Sequence, residues 1–108
     1  MDYKTIANDG IVEEEIKKSR FICHLKRIIS EEEGREYIAQ IKKEHHKANH
    51  SCSAMIVGDD GQIKRSSDDG EPSGTAGVPM LTVLEKQGLT NVVAVVTRYF
   101  GGIKLGTG

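Results

Sequence analysis

The sequence predicts one α+β domain with helices packed on one face of a mixed sheet, and three local patterns predict it. Residues 20–29, RFICHLKRII, alternate apolar and polar side chains as a half-buried strand does. Ser30 followed by Glu33 forms the S-x-x-E box that opens helices. Residues 91–99, NVVAVVTRY, hold an unbroken apolar run, the mark of a central strand covered on both faces or nearly so. The expected order is β-β-α-β-β-α-β.

An opening strand over 11–16 is the weakest element, because Glu13–Glu15 interrupt its pattern. In 20–29, Phe21, Cys23, Leu25 and Ile29 are expected on the core face, with His24 and Lys26 on the other. The helix begun at Ser30 should run to about residue 47. Glu31–Glu33 suit its positive end and Lys42, Lys43 and Lys47 its negative end, Tyr37, Ile38 and Ile41 form an apolar stripe, and Glu31 can pair with Arg35. Residues 51–57 and 62–66 flank the turn cluster Gly58-Asp59-Asp60-Gly61 and predict a hairpin. A second helix should start near Thr75–Gly77, with Pro79 tolerated in its first turn and Met80, Leu81 and Leu84 toward the core. Gly88 and Leu89 should stop it. The chain then ends in FGGIKLGTG, whose four glycines in eight residues suggest that it stops just short of a further helix.

At 108 residues, with 37% hydrophobic and 29% charged side chains, the chain is expected to be a soluble globular domain. Fifteen basic and sixteen acidic residues are spread evenly along it, which excludes a broad basic surface gripping nucleic acid through phosphates alone. Cys23 and Cys52 form no CxxC motif, no apolar run approaches a membrane span, and the polar, acidic start is unlike a leader. Reduced thiols, no membrane and a cytoplasmic location are the expectation.

The chemistry concentrates in SSDDGEPSGTAG, residues 66–77, where Asp68, Asp69 and Glu71 precede Gly74-Thr75-Ala76-Gly77. Amides at a helix start favour an anion. One reading supplies that anion from the chain, as a carboxylate folding back to cap the helix. The other supplies a phosphate held with Mg²⁺, whose charge offsets the carboxylates. The stretch lacks both P-loop and GxGxxG spacing. His45, His46, His50 and Cys52, with Cys23 and His24, are numerous enough for zinc, but their spacing is irregular, and they read as helix-end and strand residues. Arg98, Tyr99, Phe100 and Lys104 around Gly101-Gly102 combine cations and rings as a site for single-stranded RNA does; they equally suit a strand end with Arg98 paired to the acidic stretch. Ser67 or Ser73 with His50 lacks any nucleophile elbow.

DDGEPSGTAGVPML at 68–81 and VVTRYFGGIKLGTG at 95–108, with SRFICHL at 19–25 and ANHSCSAMIVG at 48–58, resemble the blocks of the IMPACT family across nearly the whole chain. The resemblance implies an N-terminal domain over 1–108, folded like the second domain of a small-subunit ribosomal protein, of the left-handed βαβ type. A second, ferredoxin-like domain would lie outside this chain. It implies a translation-associated regulator binding RNA or a ribosomal surface, with no DNA specificity, no cofactor and no settled catalysis; oligomeric state stays open. The motif positions carried over are Arg20, His50, Cys52, Asp68, Asp69, Gly70, Glu71, Pro72, Gly74, Thr75, Gly77, Arg98, Tyr99, Gly101, Gly102, Lys104 and Gly106. Together they suggest one surface on which the carboxylates hold Arg98, Lys104 and the helix amides. Under the alternative, an enzyme acting on phosphoryl groups or nucleotides, the carboxylates hold Mg²⁺.

Overall fold

A computed structural model describes residues 4–16, 18–71 and 73–100. The described chain folds into strand β1 (Gly10–Ile16), strand β2 (Ser19–Arg27), helix α1 (Glu31–Glu44), strand β3 (His50–Val57), strand β4 (Ile63–Ser67), helix α2 (Gly77–Lys86) and strand β5 (Val92–Tyr99). Each local signal acts where it stands. The Ser30 hydroxyl accepts the Glu33 N–H at 3.1 Å while Glu33 accepts the Ile29 N–H at 2.8 Å, so the α1 cap is built within five residues. Gly88 takes φ +70° just past α2, and the Leu89 N–H closes on the Leu84 carbonyl at 3.1 Å. α1 ends at Glu44, about a turn earlier than expected, with His45 as its cap.

The strands form one sheet in the order β1-β2-β5-β3-β4, and every neighbouring pair is antiparallel. The sequence reading expected a mixed sheet. The crossovers do join parallel strands, but each leaves an antiparallel strand between them: β5 between β2 and β3, and β3 between β4 and β5.

The helices occupy opposite faces, which corrects the expectation of a single covered face. Met55, Val57, Val93 and Val95 pack with Ile41 and, from α1, Tyr37 and Ile38. Their alternate neighbours Ala54, Ile56 and Val92 pack with Leu84, Met80 and Leu81 of α2. Since successive side chains point to opposite sides of a strand, β3 and β5 are sandwiched between the helices. This is why the β5 run is continuously apolar: Val92, Val93 and Val95 are 0% exposed. The β2–α1–β3 and β4–α2–β5 crossovers move across the sheet in opposite directions, along oppositely running strands, over opposite faces. They therefore have opposite hands, so one of the two is left-handed, against the general preference.

The same layering reverses the expected faces of β2. Ile22 and His24 are buried at 6% and 3% exposure on the α1 side, whereas Phe21, Cys23 and Leu25 are half-buried on the α2 side, where α2 sits over β3 and β4 instead. Ile29, expected in the core, is 86% exposed because the strand ends before it. β1 and β4 are the edges, and β1 exposes Ile11 and Val12 beside Glu13–Glu15.

Candidate functional site

The α2 mouth receives its anion from the chain. One oxygen of Asp68 accepts the Gly74 N–H at 2.8 Å, and the other accepts the Ala76 and Gly77 N–H groups at 3.0 and 2.7 Å. These backbone donors hold the Asp68 carboxyl below the usual carboxylate range. An incoming phosphate would have to displace it. Gly77 is required by close approach: a Cβ there would lie 2.7–2.9 Å from the Ser67 backbone, so the first turn of α2 rests directly on β4.

The next residues tie the loop to the start of β3. Asp69, at φ +49°, accepts the Ser51 N–H at 2.7 Å and pairs with Lys42 of α1 at 3.2 Å. His50 Nδ1 donates to the Asp69 carbonyl at 2.9 Å, and the Cys52 thiol donates to the Asp68 carbonyl at 3.3 Å. Burial, with Glu71 and Asp69 nearby, pushes the Cys52 thiol up to about 12, so it is no nucleophile near neutral pH.

Glu71 then reaches β5. Its carboxylate pairs with Arg98 at 3.0 Å, with only 14% of the Glu71 side chain exposed against 30% for Arg98. The guanidinium carbon of Arg98 lies 5.2 Å from the Phe21 ring centroid and 4.6 Å from that of Phe100. Phe100 is fixed in turn, its N–H donating to Asn49 at 2.8 Å and its ring meeting His50 edge-on at 5.6 Å. Beside Arg98 opens a cleft of about 220 Å³, walled by Phe21, Cys52, Thr75 and Met80. Arg98 Nε is buried there without a hydrogen-bond partner among the described residues.

The structure thus gathers Asp68, Asp69, Glu71, His50, Cys52, Gly74, Thr75, Gly77 and Arg98 at one end of the sheet. It separates two residues that were grouped with them. Tyr99 follows Arg98 in the strand and so faces the α1 side, where its hydroxyl bonds His45 Nδ1 at 2.7 Å; it shares no surface with Arg98. Arg20, opposite Tyr99, lies on that side too, paired with Glu13 at 2.8 Å and 5.4 Å from the Tyr99 ring. Lys104, Gly101, Gly102, Gly106 and Pro72 lie outside the described residues.

Phe21 was read from sequence only as core. Its place beside Arg98 follows from the β2–β5 register, in which the two are directly opposed, and no local signal shows that. Lys42, expected only to suit the negative end of α1, also holds Asp69. A larger hollow of about 590 Å³ lies at the other end of the sheet, near Asp59, Lys64 and Leu89, away from the motif residues. Among the described residues, no three His, Cys, Asp or Glu side chains are placed to hold a metal ion, and no helix is long and apolar enough to cross a membrane.

The Impact N-terminal domain matches residues 17–108. The chain belongs to the IMPACT family. It is 58% identical to IMPACT family member YvyE of Bacillus subtilis, over 98% of this chain and 49% of the relative. It is 50% identical to IMPACT family member YigZ of Escherichia coli, over 90% of this chain and 48% of the relative. The chain thus spans about half the length of these curated relatives. Among solved structures it resembles a crystal structure of a hypothetical protein, at TM-score 0.86 and 47% identity, covering 95% of this chain and 51% of that one. It also resembles the two-domain translational regulator Yih1, at TM-score 0.66 and 27% identity, covering 94% of this chain and 41% of that one. Both matches agree with the α+β architecture.

Proposed function

We propose that this IMPACT domain serves a translation-associated regulatory protein by engaging single-stranded RNA, free or on a ribosomal surface. The observation that carries the reading is Arg98, flanked by the Phe21 and Phe100 rings and held by Glu71 at the lip of the cleft. Rings and a guanidinium plane offer stacking surface to an unstacked base, and the cation meets the adjoining phosphate. The link to translation rests on the likeness to Yih1. Lys104, from the neighbouring motif, joins the contact in this proposal. Tyr99 does not, since it turns to the other face.

The metal-assisted reading finds no matching observation. Asp68 is committed to three amides, Asp69 to Ser51 and Lys42, and Glu71 to Arg98. The proposal accordingly needs neither cofactor nor catalysis.

Fluorescence anisotropy with a short single-stranded RNA across a salt series tests it. Phe100→Ala and Arg98→Glu should each weaken binding by about tenfold, the size expected for one lost stacking or phosphate contact, while the fold survives by circular dichroism. Tyr99→Phe should bind like the unaltered chain. Equal binding by all four proteins at low salt would reject the reading.

A further inference from the structure

On the opposite face of the sheet, α1 and β4 enclose a second notch, of about 250 Å³, whose walls carry hydrogen-bond donors and no carboxylate. Arg65 of β4 sits opposite Met55 in the register and Ser67 opposite Ser53, so these four side chains share the α1 side. Arg35 and Ile38 of α1 close the notch from above, with Met55 as its apolar floor.

The charge there is unbalanced. Arg35 and Arg65 both donate to the same Glu31 oxygen, through Nε at 3.1 and 3.0 Å, so two cations share one carboxylate. Their side chains are 68% and 53% exposed, Arg65 also donating to the Lys64 carbonyl at 2.9 Å, whereas Glu31 is 22% exposed. The nearby Asp69 carboxylate is already engaged by Ser51 and Lys42. Ser67 Oγ accepts the Asp69 N–H at 3.3 Å, which leaves its own O–H to donate, and Ser53 is a 4% exposed residue of the wall. Two guanidinium forks and two hydroxyls over a shared notch, with one unmatched positive charge, suit a tetrahedral anion.

We propose that this notch binds a phosphate group, held by Arg35 and Arg65 with Ser53 and Ser67 beneath, at a site separate from the Arg98 cleft. Glu31 competes with the ligand, loosely closing the site until phosphate draws the arginines away. The phosphate comes from a small phosphomonoester or from an RNA backbone; both present non-bridging phosphoryl oxygens, the diester one fewer and with less charge.

The test follows the arginine Nε signals by NMR in the full chain, titrated with inorganic phosphate, then a mononucleotide, then single-stranded RNA. Phosphate should shift the Arg35 and Arg65 signals saturably below roughly 20 mM, in the weak range expected of one small anion. Arg65→Ala should weaken this at least about tenfold, and Glu31→Gln, which removes the competitor, should tighten it. Glu31→Gln guards against a folding artefact, since an unfolded variant cannot bind more tightly. Arg98→Glu should leave phosphate binding intact while weakening RNA binding about tenfold, so the two proposals fail separately. RNA moving the same two signals identifies the backbone as the source; a mononucleotide alone moving them identifies a small molecule. No saturable shift, or an unchanged titration in Arg65→Ala and Glu31→Gln, would overturn the site.

Discussion

The two helices begin in different ways. α1 is capped by Ser30 and Glu33, residues that touch its own first turn, so its start is settled locally. α2 is capped by Asp68, eight residues before Ala76 and nine before Gly77, so its start depends on where the whole acidic loop lies. That loop is in turn pinned to β3, α1 and β5 through Asp69 and Glu71. A local cap stabilises one helix; a distant one makes helix, loop and cleft a single unit. The α2 mouth carries the chemistry because it is where four elements must agree.

The comparison can be broken most forcefully at Gly77. Gly77→Ala drives a methyl into the Ser67 backbone and should cost about 3 kcal/mol in urea unfolding, since backbone cannot step aside as a side chain does. Asp68→Ala comes next. Three amides lose their acceptor together, and the melting temperature should fall more than for any change at the α1 cap, with the Phe100 ring environment disturbed as well. A melting curve no lower than that of a Ser30 variant would remove the distinction between the mouths. Because the folded Asp68 carboxyl titrates below its ordinary value, its contribution is present above about pH 4 and fades as the pH falls through the lowered value.

Ser30→Ala should cost about 1 kcal/mol and leave the cleft untouched, as judged by unchanged RNA anisotropy. The smallest effect probes the far end of α1. There His45 meets the His24 ring at 5.1 Å, and neither His24 nitrogen has a hydrogen-bond partner among the described residues. Burial, then the neighbouring His45, lowers the His24 pKa, with Glu44 opposing. The unfolded chain therefore takes up that proton first, and stability should drop modestly as pH falls below about 6.5. His24→Leu should flatten this part of the melting-temperature profile, and an unchanged slope would show that another group titrates there.

Legibility divides along the same line. The capping box, the Gly88 stop, the 58–61 hairpin turn and the buried run of β5 could be read because each signal sits within a few residues of its effect. The faces of β2 could not, because alternation shows that two faces differ without showing which one a helix will cover. His24 was placed outside for that reason. Strand alternation does part Arg98 from Tyr99 within the sequence itself, but their shared composition of ring and cation hid it. The acidic stretch was open between a cap and a metal-bound phosphate because composition cannot say how far a loop folds back.

One further feature concerns the outermost strand. β1 offers an open backbone edge with Ile11, Val12 and Ile16 in water, a combination that invites another chain to add itself in register. Glu14 and Glu15 meet any such visitor with negative charge, Glu13 being paired with Arg20, and a second copy would bring the same charges. The interruption that makes this strand hardest to recognise thus also sets like charges against the addition of a second copy.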